Sequence, residues 1–438
     1  MASIEKRNRA KSIVLLCQHF YPEMVSTGMH MTELGIALTK LGWQIEVVCA
    51  QPSLILERAN DRVPWEMDYQ GITIHRVRTV GSHKGTFSRI LMAVSFCIGA
   101  FFRLFLTGNR YTGIVLGTNP PFAGIIGVLL KRIIRMPYVM IVYDVYPDLA
   151  IELGALNRDR FLARAWNWFT VLSLRNSEAV VVIGRDMASI VARKIGVRPD
   201  SPRLPLIPNW SDAASVCPVP KDANTFRKRH VPEGIFLVQY SGRMARTHNL
   251  EPLIEAADLL KDEPVFFQFI GDGAKRCQLM EIVQRKALKN VQFLPYQPLS
   301  LLGEVLSAAD LAVVCLGKEF TGLSVPSKTY GILASGTPVL AFMDQAGEIS
   351  LTICENECGV CIPEPTGPSV AEAIRELRAD PEQCRRLSNN GRRAFLQKYT
   401  LEKAAASYHS ILATCFGVDS STNVEQTQTL CGMERTPI

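Results

Sequence analysis

Residues 12–49 read SIVLLCQHFYPEMVSTGMHMTELGIALTKLGWQIEVVC, and two periodicities alternate within them. Residues 12–17 are an unbroken apolar run, the pattern of a strand covered on both faces, as in a parallel sheet. A loop follows (His19-Phe20-Tyr21-Pro22, then Ser26-Thr27-Gly28). Met31, Leu34, Ala37, Leu38 and Leu41 then recur at helical spacing, and Gly42 stands where a helix end favours glycine. Residues 45–49 are a second apolar run. Strand, helix and strand in this order make a β-α-β unit.

The alternation continues. Strands are expected at 72–77, 114–116, 138–142, 179–183 and 206–207, and helices at 121–134, 161–175 and 186–195, the last stopped by Gly196. Residues 213–233 are polar, contain Pro218 and Pro220, and read as a linker. A second series follows, with strands at 236–240, 265–270, 291–294, 311–315 and 339–342. Its helices are at 250–260, 274–287, 299–308, 329–334, 369–379, 381–398 and 401–416. The expected fold class is α/β: two Rossmann-like, doubly wound parallel-sheet domains facing a cleft. They span 1–212 and 234–398, with a helical segment 399–416 packing back on the first domain and a mobile polar tail, 417–438. Ligands of such sheets sit beyond the carboxyl ends of the strands, so the loops there are where chemistry is sought.

A chain of 438 residues exceeds one ordinary core. Its net charge of +7 is uneven: residues 1–212 hold 25 Lys+Arg against 16 Asp+Glu. A basic half suits a phosphorylated ligand or an anionic membrane surface; without a basic arm, zinc-finger or RNP signature, nucleic acid is not expected. The 12 cysteines lack paired spacing and residues 1–12 are polar and basic rather than a secretory leader, which predicts reduced thiols and a cytoplasmic protein, peripheral at the inner face of the membrane. The longest apolar run, 90–102, ends at Arg103 and reads as too short to span a bilayer, leaving a core helix or one lying in a membrane interface.

Three turns of the second half carry glycine and charge directly after strands. Ser241-Gly242-Arg243, with Arg246 and His248 close behind, lets backbone approach a ligand and puts a guanidinium where it forks onto phosphate. Gly271-Asp272-Gly273 is a second turn, short of a full dinucleotide fingerprint. Residues 318–338 read KEFTGLSVPSKTYGILASGTP; Ser324 or Ser327 would cap a helix whose first turn, with Lys328, makes an anion site. Each turn is equally compatible with an ordinary connection, and it is their convergence that suggests a diphosphate pocket.

Taken in order, HFYP…STG, TNPPFAG (118–124), YDVYPDLAIELG (143–154), LIPNWSD, YSGRMARTHNLEPLIEAA, FIGDG, NVQFLPYQP and VPSKTYGILASGTPV resemble glycosyltransferase family 4, the GT-B branch that builds bacterial lipid-linked and surface polysaccharides. The resemblance covers about residues 12–415. It implies a retaining, metal-independent transferase with no cofactor, moving a sugar from a nucleotide-diphosphate donor to a glycan or polyprenyl-linked acceptor held by the first half. It implies that Gly28 reaches donor and acceptor, that Asp144 lies near the reacting sugar with Asp148 behind it, and that Arg243 and Lys328 meet the diphosphate. Leu294 to Tyr296 would hold the base, and Glu348 would face the cleft. Two features depart from the family: the position of its second glutamate, counted back from Gly336, is Gly331, with Glu319 upstream, and Thr247-His248-Asn249 replaces a usual Lys-Gly.

Three alternatives are weighed. Cys354, Cys358 and Cys361 have the spacing of an iron–sulfur triplet, but the barrel such a triplet would open has too few residues after it. A nucleotide-sugar 2-epimerase would need carboxylates and a histidine in a motif not found here. A non-catalytic nucleotide-sugar binder is favoured only by the missing glutamate.

Overall fold

A computed structural model describes residues 11–23, 26–52, 63–81 and 85–419. The expected tail thus falls, beyond residue 419, outside the described residues.

The first half comprises β1 (Ser12–Leu16), α1 (Ser26–Lys40), β2 (Gln44–Ala50), β3 (Glu66–Tyr69), β4 (Ile72–Val77), α2 (Thr86–Thr107), β5 (Gly113–Gly117), α3 (Ala123–Ile134), β6 (Tyr138–Val142), α4 (Asp148–Glu152), α5 (Phe161–Asn176), β7 (Ala179–Val182) and α6 (Arg185–Ile195). Its sheet runs β3-β4-β2-β1-β5-β6-β7, parallel except for β3, which pairs antiparallel with β4. Every residue of β5, β6 and β7 is buried, which is why these strands read as continuous apolar runs.

The second half comprises α7 (Thr225–His230), β8 (Phe236–Ser241), α8 (Glu251–Leu259), β9 (Val265–Ile270), α9 (Arg276–Arg285), β10 (Val291–Leu294), α10 (Leu302–Ser307), β11 (Leu311–Cys315), α11 (Lys328–Ala334), β12 (Val339–Phe342), α12 (Glu348–Asn356), β13 (Gly359–Cys361), α13 (Gly367–Ala379), α14 (Pro381–Lys398) and α15 (Leu401–Phe416). Its parallel sheet runs β10-β9-β8-β11-β12-β13. In each sheet the strand order reverses once, between β1 and β5 and between β8 and β11, and a crevice opens at such a reversal.

α15 returns to the first half. It packs against α1, the Trp43 indole N–H meets His409 Nδ1 at 2.9 Å, and the Phe416 ring occupies the space a side chain at Gly113 would need.

Four expectations change. The apolar run 90–102 is the middle of the 22-residue helix α2, and Phe87–Arg110 is long and apolar enough, by length and composition, to cross a membrane. Arg89 and Arg103 interrupt the run of apolar letters but not the helix, because arginine is a good helix former. The segment 213–233 is not only linker: it contains α7, capped by the Asn224 side chain, which accepts from Arg227 N at 2.8 Å. Residues 206–207 form a single bridge to Val182 rather than a strand. The helix α12 and strand β13 follow β12 where none had been expected.

Candidate active site

The site is built at the two strand-order reversals, which face each other. Beyond β8, Gly242 has φ 134°, and beyond β9, Gly271 has φ 128°. Both lie in the left-handed region, where a side chain is strained. The turns interlock: Gly242 N donates to Ile270 O at 2.9 Å, and a Cβ on Gly271 would collide with the Gly242 carbonyl. Gly273 lies against Met244 in the same way. Gly271 N in turn donates to the Leu294 carbonyl at 2.9 Å, and the half-exposed Tyr296 ring lies beside Gly271.

Lys328 opens α11 directly over this floor. Its Nζ lies 3.6 Å from the centre of the Tyr240 ring, and a Cβ on Gly242 would stand 3.1 Å from it. The Nζ is buried without a hydrogen-bond partner, and burial lowers the ammonium pKa to about 8, the nearby Cys315 thiol opposing that shift. Arg243 is exposed and, among the described residues, forms no ion pair. Its charge bears on the Tyr296 hydroxyl and on the His248 ring, and the charge of Lys328 bears on the same ring. The charges of Arg243 and Lys328 therefore both reach the His248 ring beside the Gly242 turn.

His248 is a neutral wedge. Its Nδ1 contacts Tyr240 Oη at 2.7 Å and the Arg243 carbonyl at 2.8 Å. Burial first, then Lys328, lowers its pKa to about 3. It also lines, with Arg246, Lys275, Lys318 and Glu319, a cavity of about 390 Å³ beyond the ends of β11 and β12. Glu319 folds back over Gly317, its carboxylate filling the space above that glycine. Gly331 faces Leu306 and Ser211, so no carboxylate stands at that position.

Across the cleft, Asp144 follows β6. Its backbone N–H donates to Thr118 Oγ1 at 3.2 Å, and it bridges to Ser324 while Val145 N donates to Leu323 O at 2.9 Å. Burial pushes the Asp144 carboxyl up to about 6, against the pull of its hydrogen bond to Ser324. Asp144 also lines a narrow crevice of about 20 Å³ whose walls include Phe122, Trp166 and Phe169. Asp148 turns away and pairs with Lys194 at 2.6 Å. Gly28 lies in the first turn of α1, where a Cβ would stand 2.8 Å from the Glu23 carbonyl, and the neighbouring Ser26 hydroxyl meets Ser327 Oγ at 3.1 Å. Ser324 and Ser327 are thus contacts between the halves in this closed arrangement, and neither side chain caps α11.

Glu348 departs from the expected role. It is 4% exposed, and Arg185 of α6 grips it, the guanidinium Nε at 2.9 Å and the backbone N–H at 2.7 Å. It is a strut between the halves rather than a group open to the cleft. Sequence reasoning missed Arg185, and it missed Asp186, whose carboxylate accepts from Gly322 N and Glu348 N, each at 3.1 Å. It also missed His30, buried between Tyr143 and Trp210, with Nδ1 3.8 Å from the Glu33 carboxylate and neither ring nitrogen in a hydrogen bond. An acid following a helix start's arginine gave no local signal of a partner some 160 positions away.

The pattern described as "Glycosyl transferase 4-like domain" matches residues 27–210, and "Glycosyl transferases group 1" matches residues 222–394. The probable glycosyltransferase WbjE of Pseudomonas aeruginosa is 32% identical over 284 residues, covering 63% of this chain and 69% of that protein. This chain belongs to the group 1/group 4 glycosyltransferases. The glycosyltransferase is also 26% identical over 375 residues to the putative colanic acid biosynthesis glycosyl transferase WcaI of Escherichia coli K12, covering 83% of this chain and 91% of that one. HepE of Anabaena, solved with UDP-glucose, shares the fold at a TM-score of 0.70 and 15% identity, covering 92% of this chain and 99% of that one. The glycosyltransferase is a GT-B protein, its two parallel-sheet α/β domains meeting at the cleft just described.

Proposed function

We propose that this glycosyltransferase transfers a sugar, with retention and without a metal ion, from a nucleoside-diphosphate sugar to a glycan or polyprenyl-linked acceptor in surface polysaccharide assembly. The observation that carries the reading is the buried, unpartnered Lys328 ammonium over the Gly242 turn. An ammonium held out of water without a partner is costly unless an anion completes it. Negative charge develops on the leaving diphosphate as the sugar–phosphate bond breaks, and Lys328 with Arg243 stands ready to neutralise it without reorganising. α11, at 7 residues, contributes little dipole, so the side-chain charges do this work. Asp144 faces from the other half with a carboxyl basic enough to orient the acceptor hydroxyl or receive its proton. The name of WcaI, a putative colanic acid biosynthesis enzyme, supports a place in polysaccharide assembly, and HepE, solved with UDP-glucose, supports a nucleoside-diphosphate donor.

The test is a thermal-shift panel of nucleotide sugars followed by anomeric analysis of the product by NMR in EDTA. A true donor raises Tm by mass action. A chelator-sensitive reaction or an inverted product sinks the corresponding part of the proposal.

A further inference from the structure

α2 has two unlike faces. Met92, Ala93, Phe96, Ala100 and Leu104 are buried against the first-half core. The opposite stripe, Phe87, Ile90, Val94, Ile98, Phe102 and Phe105, follows the same helical spacing and is exposed, Phe87 by 81% and Phe102 by 58%. Only 28% of the apolar window of this helix is buried inside the protein. α3 packs against α2 and α5 against α3, so the three helices form one layer. Its outer side adds Leu129, Ile133, Phe161, Leu162 and Trp168, all exposed. An apolar face of this extent on a water-soluble surface marks an interaction site.

The charge around the face says what covers it. Residues 69–143 hold 9 Lys+Arg and not one Asp or Glu. Arg89, Arg110, Arg132, Arg135, Arg160 and Arg164 are exposed along this layer, and among the described residues none is in an ion pair. A second copy of the chain would bring the same cations against them, and a nucleic acid would leave the phenylalanine stripe in water. An apolar stripe ringed by unpaired arginines complements an anionic phospholipid surface, acyl chains below and phosphates around. Spanning would require α2 to leave β2 and β4, against which it packs, and would expose Phe96 and Leu104.

We infer that this layer is a membrane-docking face: α2 lies flat in the headgroup region of an anionic bilayer with its Phe87–Phe105 stripe in the acyl boundary, while arginines of α2, α3 and α5 hold lipid phosphates. This docking is separable from the transfer chemistry, because the exposed Phe87–Phe105 stripe contains none of the candidate-site residues.

The experiment is flotation of the full chain with vesicles of phosphatidylcholine containing phosphatidylglycerol, and with phosphatidylcholine alone. The wild type is expected to float with the anionic vesicles, less so at high salt, and weakly with the neutral ones. The double variant Ile98→Asp/Phe102→Asp alters two exposed side chains and is expected to lose at least about tenfold in vesicle partitioning, while keeping its Tm and its donor-induced shift. Arg132→Gln/Arg135→Gln is expected to lose the preference for anionic lipid. Wild-type protein that stays at the bottom of the gradient overturns the inference, as does a double variant that floats as well as wild type. Resistance to alkaline carbonate extraction overturns it in favour of a spanning helix. A dimer in sedimentation that the double variant dissociates, without vesicle binding, overturns it in favour of a second copy.

Discussion

Lys328 carries a stability cost that, in the proposed function, serves the leaving diphosphate. Burial holds its pKa at about 8, below the 10.5 of a free lysine, so between those values the unfolded chain binds a proton that the folded chain does not. Stability therefore rises with pH through that window, and at neutral pH the charged side chain opposes folding by about 3 kcal/mol. Lys328→Met should raise Tm at pH 7 by a few degrees, an advantage that disappears by the top of the window, while kcat/KM falls roughly 100- to 1,000-fold. Calorimetry beside initial rates checks both, and a fully active Met variant would falsify the assignment. Asp144 has the mirror sign. Its folded pKa, raised from 3.8 to about 6, means the folded chain holds the extra proton, so stability falls as pH rises through that range. Activity should drop on the acid side of about pH 6, and Asp144→Asn should flatten that limb, lower the rate, and raise Tm at neutral pH. An unchanged acid limb in a pH–rate profile of the Asn variant would assign that ionisation elsewhere.

The turns behave as one element because their backbones touch. Gly271→Ala places a Cβ against the Gly242 carbonyl at a φ of 128°, so the Gly242 turn that floors Lys328 must shift. Stability should fall by about 1–3 kcal/mol, and the Tm shift produced by a nucleotide sugar should shrink further than the intrinsic Tm does. A variant that keeps the full donor-induced shift would show that the interlock does not shape the pocket. Most elements were legible in advance because buried parallel strands spell themselves as apolar runs: β4, β6, β9, β10, β11 and β12 have the expected bounds, as do α14 and α15. What stayed hidden lacked that spelling. β3 (EMDY) is an antiparallel edge strand with alternate exposed residues and no apolar run. α12 follows Gly347, which gives no side-chain cap, and stops before Glu357, whose φ of 45° is where a glycine would have announced the stop. The glycine turns and Lys328 were readable as local motifs following strands, whereas Asp144 was pointed to only by the family resemblance. The engagement of Glu348 by Arg185 was not, since an ion pair between distant positions leaves no trace in either neighbourhood.

At the level of the two halves, the proposed transfer needs Asp144 to meet the donor side, and polar contacts among the described residues hold the closed arrangement. Arg185 reaches from α6 to Glu348 and Glu355 of α12, Asp186 accepts from two backbone N–H groups of the other half, and Ser26 meets Ser327. Glu348 is the sensitive member, because it is buried and a carboxylate left there without Arg185 loses its counter-charge. Arg185 itself is 38% exposed, so water takes over part of its role, and the loss on Arg185→Ala should be about 1–2 kcal/mol rather than the 3–5 of a fully buried pair. The cost should appear as opening of the cleft rather than general unfolding: α6 and α12 are each seated in their own half, and only the tie between them is cut. Small-angle scattering of the ligand-free variant should give a larger radius of gyration. KM for both substrates should rise with a smaller change in kcat, since the closed geometry is recovered once they bind. Arg185→Ala/Glu348→Gln, which removes the stranded charge as well, should regain stability while staying open. If that double variant recovers the wild-type radius and KM, the strut does not control closure.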